Sequence, residues 1–121
     1  PTWDTVKAVL TRMVHNPEML IDDLIAVRLA IYSTAEMKAA MPRLLAFAGS
    51  GGDLKLEEWR AMETPILSVA SVDAGDMFMK NAYAIAEIAP NAKLLELSGC
   101  DHWAQYECAD QFNAEAVAFL K

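Results

Sequence analysis

Two loops in the C-terminal half carry side chains that can move protons together. Asp73 follows the nearly uncharged segment 64–71, and the acidic residue Asp76 lies three positions further on. His102 follows a second apolar segment, residues 92–97. A carboxylate beside an imidazole fixes the orientation of the ring and stabilises its cationic form, while the imidazole takes up and returns protons. The spacing favours Asp73 as that carboxylate and leaves Asp76 as the alternative; a histidine with a purely structural role is the other interpretation.

The segments that must position these loops read as strands and helices of an α/β fold. Residues 64–71 and 92–97 are short and apolar, which suits buried parallel strands. Residues 77–89 and 109–120 have apolar side chains at helical spacing. The order strand–helix–strand–helix predicts a right-handed crossover in a parallel sheet. Because α/β proteins place their sites at the carboxyl ends of parallel strands, we expect the two loops to lie at one edge of the sheet.

The first half of the chain is predicted to be helical. Apolar residues recur at helical spacing in three segments, 5–14, 21–32 and 34–48. The third of these helices is bent or restarted at Pro42. Arg28 lies on the apolar stripe of the second, where an unpaired cation is costly. Its guanidinium can bind the carboxylate of a ligand through two hydrogen bonds, and a salt bridge to Asp22 or Asp23 is the alternative.

A glycine-rich break divides the chain into two parts. Residues 49–52 read Gly-Ser-Gly-Gly, which is a strong turn signal. We expect a helical lid segment with its linker at 1–52 and an α/β part at 53–121. Two strands do not make a stable, doubly covered sheet by themselves. The chain is therefore predicted to be a piece of a longer protein, and the absence of an initiator Met favours the same interpretation.

Composition and charge exclude several classes of protein. Apolar residues make up 55% of the 121 residues, which is too many for intrinsic disorder, and no stretch of ~18 residues is free of charge as a membrane span would be. The formal net charge of −7 leaves no basic surface for nucleic acid or an anionic membrane. Cys100 and Cys108 form neither a zinc motif nor a disulfide framework. With no signal-peptide pattern either, we expect a cytoplasmic protein without a metal.

The residues around His102 resemble the signature of a known enzyme family. Residues 100–107 read Cys-Asp-His-Trp-Ala-Gln-Tyr-Glu, residues 109–113 read Ala-Asp-Gln-Phe-Asn, and residues 119–120 read Phe-Leu. This closely resembles the C-terminal signature of the meta-cleavage product hydrolases, which is roughly Cys-Gly-His-Trp-x-Gln-x-Glu, then Ala-Asp-x-Phe-Asn, then Phe-Leu. The Pro-Thr start and the Asp-Asp-Leu stretch that precedes Arg28 are similar to the family's lid helices. The resemblance covers essentially the whole chain in order.

The resemblance implies a partial α/β-hydrolase fold, with a helical lid followed by the last two parallel strands and their helices. Members of this family cleave a carbon–carbon bond in 2-hydroxy-6-oxo-dienoates, the ring-fission products of aromatic degradation. They use a Ser-Asp-His triad and water, and no cofactor. By this resemblance His102 and Asp73 match the catalytic histidine and acid. Arg28 matches the lid arginine that binds the carboxylate end of the substrate, and Trp103 matches a tryptophan that lines the pocket.

The sequence departs from the family pattern around the acid, where residues 70–76 lack the usual Gly-Arg-Asp-like or Asp-Asp pair, and also beside the histidine and at the nucleophile. Asp101 stands where the family has Gly, so it either stabilises the charged form of the neighbouring imidazole or faces solvent. No Gly-x-Ser-x-Gly nucleophile frame occurs, and Ser50 lies in the predicted linker. We therefore expect the chain to be inactive alone and to need the N-terminal part of the hydrolase core.

Two alternative functions remain open on the sequence. The first is a non-catalytic α/β-hydrolase-like module that pairs with a partner, or with itself, through an exposed apolar face. The second is a fragment of an ester or lactone hydrolase, since the triad is shared. The high apolar fraction also predicts a homo-oligomer.

Overall fold

The computed structural model describes residues 1–51 and 54–121, with a helical first half and an α/β second half. The first half contains α1 (Trp3–Thr11), a 3₁₀ turn (Pro17–Met19), α2 (Asp22–Ser33) and α3 (Ala35–Ala48). The second half contains α4 (Leu56–Arg60), β1 (Ile66–Ser71), α5 (Met77–Ile88), β2 (Ala92–Leu97), α6 (Ala104–Glu107) and α7 (Ala109–Leu120). The boundary predicted between Gly52 and Asp53 lies outside the described residues.

Threonine side chains set the ends of the helices in the first half. The Thr2 hydroxyl accepts the N–H of Thr5, and the Thr5 hydroxyl accepts the N–H of Thr2, which makes a capping box at the start of α1. Thr34 ends α2, and its hydroxyl accepts the N–H of Met37 at the start of α3. Pro42 lies inside α3, and the helix continues through it. The helix therefore does not restart at this proline.

The two strands form a parallel sheet, as their order and composition predict. Ile66 pairs with Ala92 at one end of the register and Ser71 with Leu97 at the other. Helix α5 packs against both strands and makes the crossover between them. Because both strands end at the same level, the loops that follow them begin side by side. The N–H of Val72 donates to the carbonyl oxygen of Leu97 at 2.9 Å and joins the starts of those loops.

Two small apolar cores hold the halves of the chain. One lies beside the sheet, with Phe112 packed against the buried residues Leu95, Leu97, Cys100 and Ala104. The other lies between α1 and α2 and consists of Val6, Leu10 and Ile25. Trp103 packs against this second core although it belongs to the loop after β2. The loop that carries His102 therefore lies where the helical half meets the α/β half.

Large apolar side chains remain exposed on several helices. Leu44, Leu45 and Phe47 on α3 are 55–66% exposed, and Leu120 at the end of α7 is 81% exposed. Across the described residues, every helix is too short or too polar to span a lipid bilayer.

Candidate active site

His102 and Asp76 are the titratable side chains that meet at the carboxyl end of the sheet. Oδ2 of Asp76 lies 3.0 Å from Nε2 of His102, which is hydrogen-bond distance. The two side chains are 33% and 31% exposed, so the pair is partly buried yet open to a small molecule. A carboxylate at this distance can fix the ring and stabilise its cationic form.

Both carboxylate oxygens of Asp76 are engaged, and this fixes the orientation of the group. Oδ1 accepts the N–H of Met79 at 3.0 Å, so Asp76 is the N-cap of α5. Oδ2 is left to face His102. An aspartate is favoured at this position because it satisfies a free N–H and carries a negative charge at the positive end of the helix dipole. The start of α5 thus places the acid of the pair.

Asp73, the acid that the spacing favours, binds elsewhere. Its Oδ2 accepts the N–H of Gly99 at 2.6 Å and so ties the loop after β1 to the turn after β2. Gly75, with a positive φ of 64°, turns the chain between the two acids. As a result the second acid of this loop, Asp76, is the one that meets the imidazole. The structure pairs His102 with the alternative acid.

A second carboxylate faces the same nitrogen of the imidazole. Oδ1 of Asp101 lies 4.0 Å from Nε2 of His102. This oxygen is buried and has no hydrogen-bond partner in the described part of the chain. Asp101 therefore does not simply face solvent, and a stabilising effect on the charged imidazole stays a prediction. Possible ligand atoms of Asp76, Asp101 and His102 lie within 4.8 Å of one another, and this donor set suits a divalent cation. The direct contact between His102 and Asp76, however, explains the positions of those two side chains without a cation.

The pair lines a cavity of about 210 Å³. Its wall is mixed: the apolar lining residues are Val69, Ala74, Phe78, Met79, Ala104 and Phe112, and the polar ones include Ser71, Asp101 and Gln105 beside the pair. The ring of Phe78 meets the imidazole edge-on, with 4.6 Å between ring centroids. Small-molecule sites usually combine apolar walls with a few polar groups, and they measure about 300–1,000 Å³. This cavity therefore has room for part of a ligand.

Arg28 and Trp103 lie together, outside the walls of that cavity. The centre of the guanidinium is 5.5 Å from the Trp103 ring centroid and 5.9 Å from that of Tyr32, both cation–π distances. Within residues 1–51 and 54–121, no carboxylate lies within 4.0 Å of Arg28, so the alternative salt bridge to Asp22 or Asp23 is not formed. Two aromatic rings thus hold the cation while its hydrogen-bond donors remain available.

Two further residues fix the backbone beside His102, and the sequence gives them no such role. The Ser71 hydroxyl donates to the carbonyl oxygen of Asp101 at 2.7 Å. Oε2 of Glu107 accepts the N–H of Asp101 at 2.9 Å. The position of Glu107, five residues after the histidine within the signature, is the one signal that pointed to it. The loop is therefore held through its peptide groups on both sides.

The cysteines near the site are packing residues. Burial raises the pKa of the Cys100 thiol to about 11, so it is a neutral thiol near pH 7 and a poor nucleophile. Cys108 donates through Sγ to the carbonyl oxygen of Ser98 at 3.2 Å. Neither residue offers an alternative to the His102–Asp76 pair as a reacting group.

No protein-family model matches the sequence. Curated proteins do match it along nearly its whole length. It is 28% identical over 126 aligned residues to the 2-hydroxy-6-oxononadienedioate/2-hydroxy-6-oxononatrienedioate hydrolase of Comamonas testosteroni. It is 27% identical to the 2-hydroxy-6-oxo-6-phenylhexa-2,4-dienoate hydrolase of Delftia acidovorans. In both cases the match covers 99% of this chain and 42% of the relative, so the chain spans less than half the length of these proteins.

Solved structures show the same partial correspondence. A meta-cleavage product hydrolase from Pseudomonas fluorescens superposes with a TM-score of 0.83 at 16% identity, over 99% of this chain and 46% of that one. A serine hydrolase involved in carbazole degradation superposes with a TM-score of 0.80 at 23% identity, over 98% of this chain and 47% of that one. These likenesses confirm the predicted fold class. The chain is similar in sequence to the meta-cleavage product hydrolases and has part of the α/β-hydrolase fold.

Proposed function

We propose that this chain supplies the histidine and the acid of a Ser-His-Asp hydrolase that cleaves a carbon–carbon bond in a 2-hydroxy-6-oxo-dienoate. The observation that carries the proposal is the 3.0 Å contact between His102 and Asp76 at the carboxyl end of the sheet, beside a cavity. The curated relatives support it, since two are named as hydrolases of such dienoates. In this proposal Asp76, rather than Asp73, is the acid of the triad.

The imidazole works through whichever nitrogen the acid leaves free. Nε2 of His102 faces Asp76, so Nδ1 remains for the reacting groups. His102 first helps to ketonise the dienol, a step in which the 2-hydroxyl loses a proton and a carbon of the diene gains one. It then removes the proton of the serine that attacks the carbonyl next to the scissile bond, and it returns that proton to the departing carbon when the carbon–carbon bond breaks. Water then hydrolyses the acyl-serine, with the imidazole again as the base. The acid stabilises the imidazolium that forms in each step.

The serine comes, in this proposal, from the N-terminal part of the hydrolase core. The sequence has no Gly-x-Ser-x-Gly frame, and the relatives are more than twice as long as the matched region. Strand β1 pairs with β2 on one edge, and no other strand in the described residues pairs with its second edge. That edge is open to a further strand of the core. The predicted homo-oligomer and the cytoplasmic location stay predictions.

The isolated 121-residue chain is expected to show no turnover of a coloured 2-hydroxy-6-oxo-dienoate above that of buffer. The reason is that an imidazole without its nucleophile provides only half of the covalent mechanism. The decay of substrate absorbance measures this directly. The complete protein, made from the same gene with any upstream coding region, is expected to turn the substrate over. Steady turnover by the isolated chain, or none by the complete protein, would contradict the proposal.

Replacing Arg28 with lysine is expected to raise KM for the dienoate about tenfold and to leave kcat nearly unchanged. Lysine keeps the positive charge but loses the planar, two-pronged contact with a carboxylate and the stacking on Trp103. Steady-state kinetics of the complete protein measures both constants. Arg12→Lys, at an exposed arginine after α1, is the matched control and should change neither. A fall in kcat at constant KM would assign Arg28 to the chemistry instead of to binding.

A further inference from the structure

The Glu107 carboxylate accepts three backbone N–H groups from two distant parts of the chain. Oε2 accepts the N–H of His15 at 3.0 Å and that of Asp101 at 2.9 Å. Oε1 accepts the N–H of Asn16 at 2.9 Å. His15 and Asn16 follow α1 in the helical half, whereas Asp101 directly precedes His102. One side chain therefore joins the helical half to the loop that carries the imidazole.

Neighbouring side chains join the same two regions. The Tyr106 hydroxyl donates to the carbonyl oxygen of Met19 in the 3₁₀ turn at 2.6 Å. Trp103 packs against the core between α1 and α2 and against the guanidinium of Arg28. Hydrogen bonds from N–H groups to an ionised carboxylate are about twice as strong as neutral ones. Glu107 makes three of them, more than any other side chain of the set.

We propose that Glu107 is a positioning residue, whose carboxylate sets the backbone of Asp101, and with it the His102 ring, against the helical half that carries Arg28. The Glu107 carboxylate binds the N–H of Asp101, the residue immediately before His102, and this fixes its distance from the imidazole. The helical side is fixed by the N–H groups of His15 and Asn16. The structural part of the proposal stands by itself, and its kinetic consequence rests on the proposed function.

Glutamine in place of Glu107 separates this role from simple packing. It has the same shape but only one oxygen, and its NH₂ group donates instead of accepting. If the amide oxygen takes the place of Oε2, the contact with Asn16 is lost; if it takes the place of Oε1, the contacts with His15 and Asp101 are lost. Glu107→Gln therefore breaks at least one of the three hydrogen bonds without opening a cavity.

The decisive experiment compares wild-type chain, Glu107→Gln and Glu115→Gln by NMR, following amide exchange and the imidazole ¹⁵N signals of His102. Glu115→Gln is the control: it removes the same negative charge at an exposed position, where Glu115 pairs with Lys93 at 3.1 Å. In Glu107→Gln we expect at least one of the amides of residues 15, 16 and 101 to exchange about ten- to a hundredfold faster. We also expect the His102 signals to shift, and Glu115→Gln to change neither reading.

Two results would overturn the proposal. One is unchanged exchange at all three amides in Glu107→Gln. The other is faster exchange with unchanged His102 signals, which would make Glu107 a structural connection only. If Glu107→Gln does not fold, amide exchange in the wild-type chain still tests the connection, because Glu107 is the hydrogen-bond partner of the His15 and Asn16 amides. Exchange of these amides at the rate of an unfolded peptide would contradict the proposal, and protection of both would support its structural part.

The kinetic consequence is tested separately in the complete protein. Glu107→Gln should lower kcat about tenfold with little change in KM, because misplacement of the imidazole affects the chemical step more than substrate binding. Ser68→Ala removes a buried hydrogen bond to the carbonyl oxygen of Ala82 and so destabilises the fold through residues that Glu107 does not contact; it should leave kcat unchanged. An equal loss of kcat in both variants would reduce Glu107 to a stabilising role. If the wild-type protein has no activity, the proposed function fails while the NMR result still stands.

Discussion

Replacement of His102 by alanine in the complete protein is expected to lower kcat for the dienoate by about 10⁴- to 10⁶-fold, with little change in KM. The imidazole moves a proton in every chemical step of the proposed mechanism, so its loss removes transition-state stabilisation instead of uniform binding. It also leaves the serine without a base. Stopped-flow and long steady-state assays of substrate decay together cover this range of rates.

His15→Ala is the matched control for this prediction. His15 is the only other histidine in the sequence, and its contact with Glu107 is made by its backbone N–H, which alanine keeps. The control should therefore retain wild-type kcat. A His102→Ala protein whose kcat stays within about tenfold of wild type would remove this residue from the chemistry, since triad members contribute far more.

The second large effect distinguishes the two acids. Asp76→Asn is expected to lower kcat by about 10³- to 10⁴-fold, because an amide does not stabilise the imidazolium and favours the wrong tautomer of the ring. Asparagine remains a good N-cap, so α5 should keep its start and the fold its stability. The measurement is kcat together with the free energy of unfolding of each variant.

Asp73→Asn is the counterpart, with the opposite expectation. The amide oxygen of asparagine can still accept the Gly99 N–H, so we expect a loss of about 1 kcal/mol in the free energy of unfolding and a kcat close to wild type. If Asp73→Asn abolishes turnover and Asp76→Asn does not, the spacing-based assignment is right and the pairing in the structure is not the catalytic one.

The sequence predicts the regular elements well because they carry their own patterns. Strand β2 and helix α7 have the predicted bounds, Ala92–Leu97 and Ala109–Leu120. The short helices α4 and α6 were not predicted, since four or five residues show no periodicity. Helix α6 makes tertiary contacts, such as the hydrogen bond of Tyr106 with Met19, and these cannot be read from a local pattern.

The choice between Asp73 and Asp76 shows why the site was only partly predictable. Spacing counts residues along the chain, whereas the turn at Gly75 decides which carboxylate reaches the imidazole. A signal for Asp76 was present, because an acidic residue immediately before an apolar helix is typical of an N-cap. Glu107 had no comparable local signal, since two of its three contacts join positions 91 and 92 residues apart.

The imidazole proton of His102 tests the central claim most directly. If Oδ2 of Asp76 holds the N–H of Nε2, ¹H–¹⁵N NMR of the chain at low temperature should show a downfield proton on that nitrogen. The signal should survive in Asp73→Asn and vanish in Asp76→Asn. A signal that persists in Asp76→Asn, or that is lost only in Asp73→Asn, would contradict the pairing on which the proposed hydrolase chemistry depends.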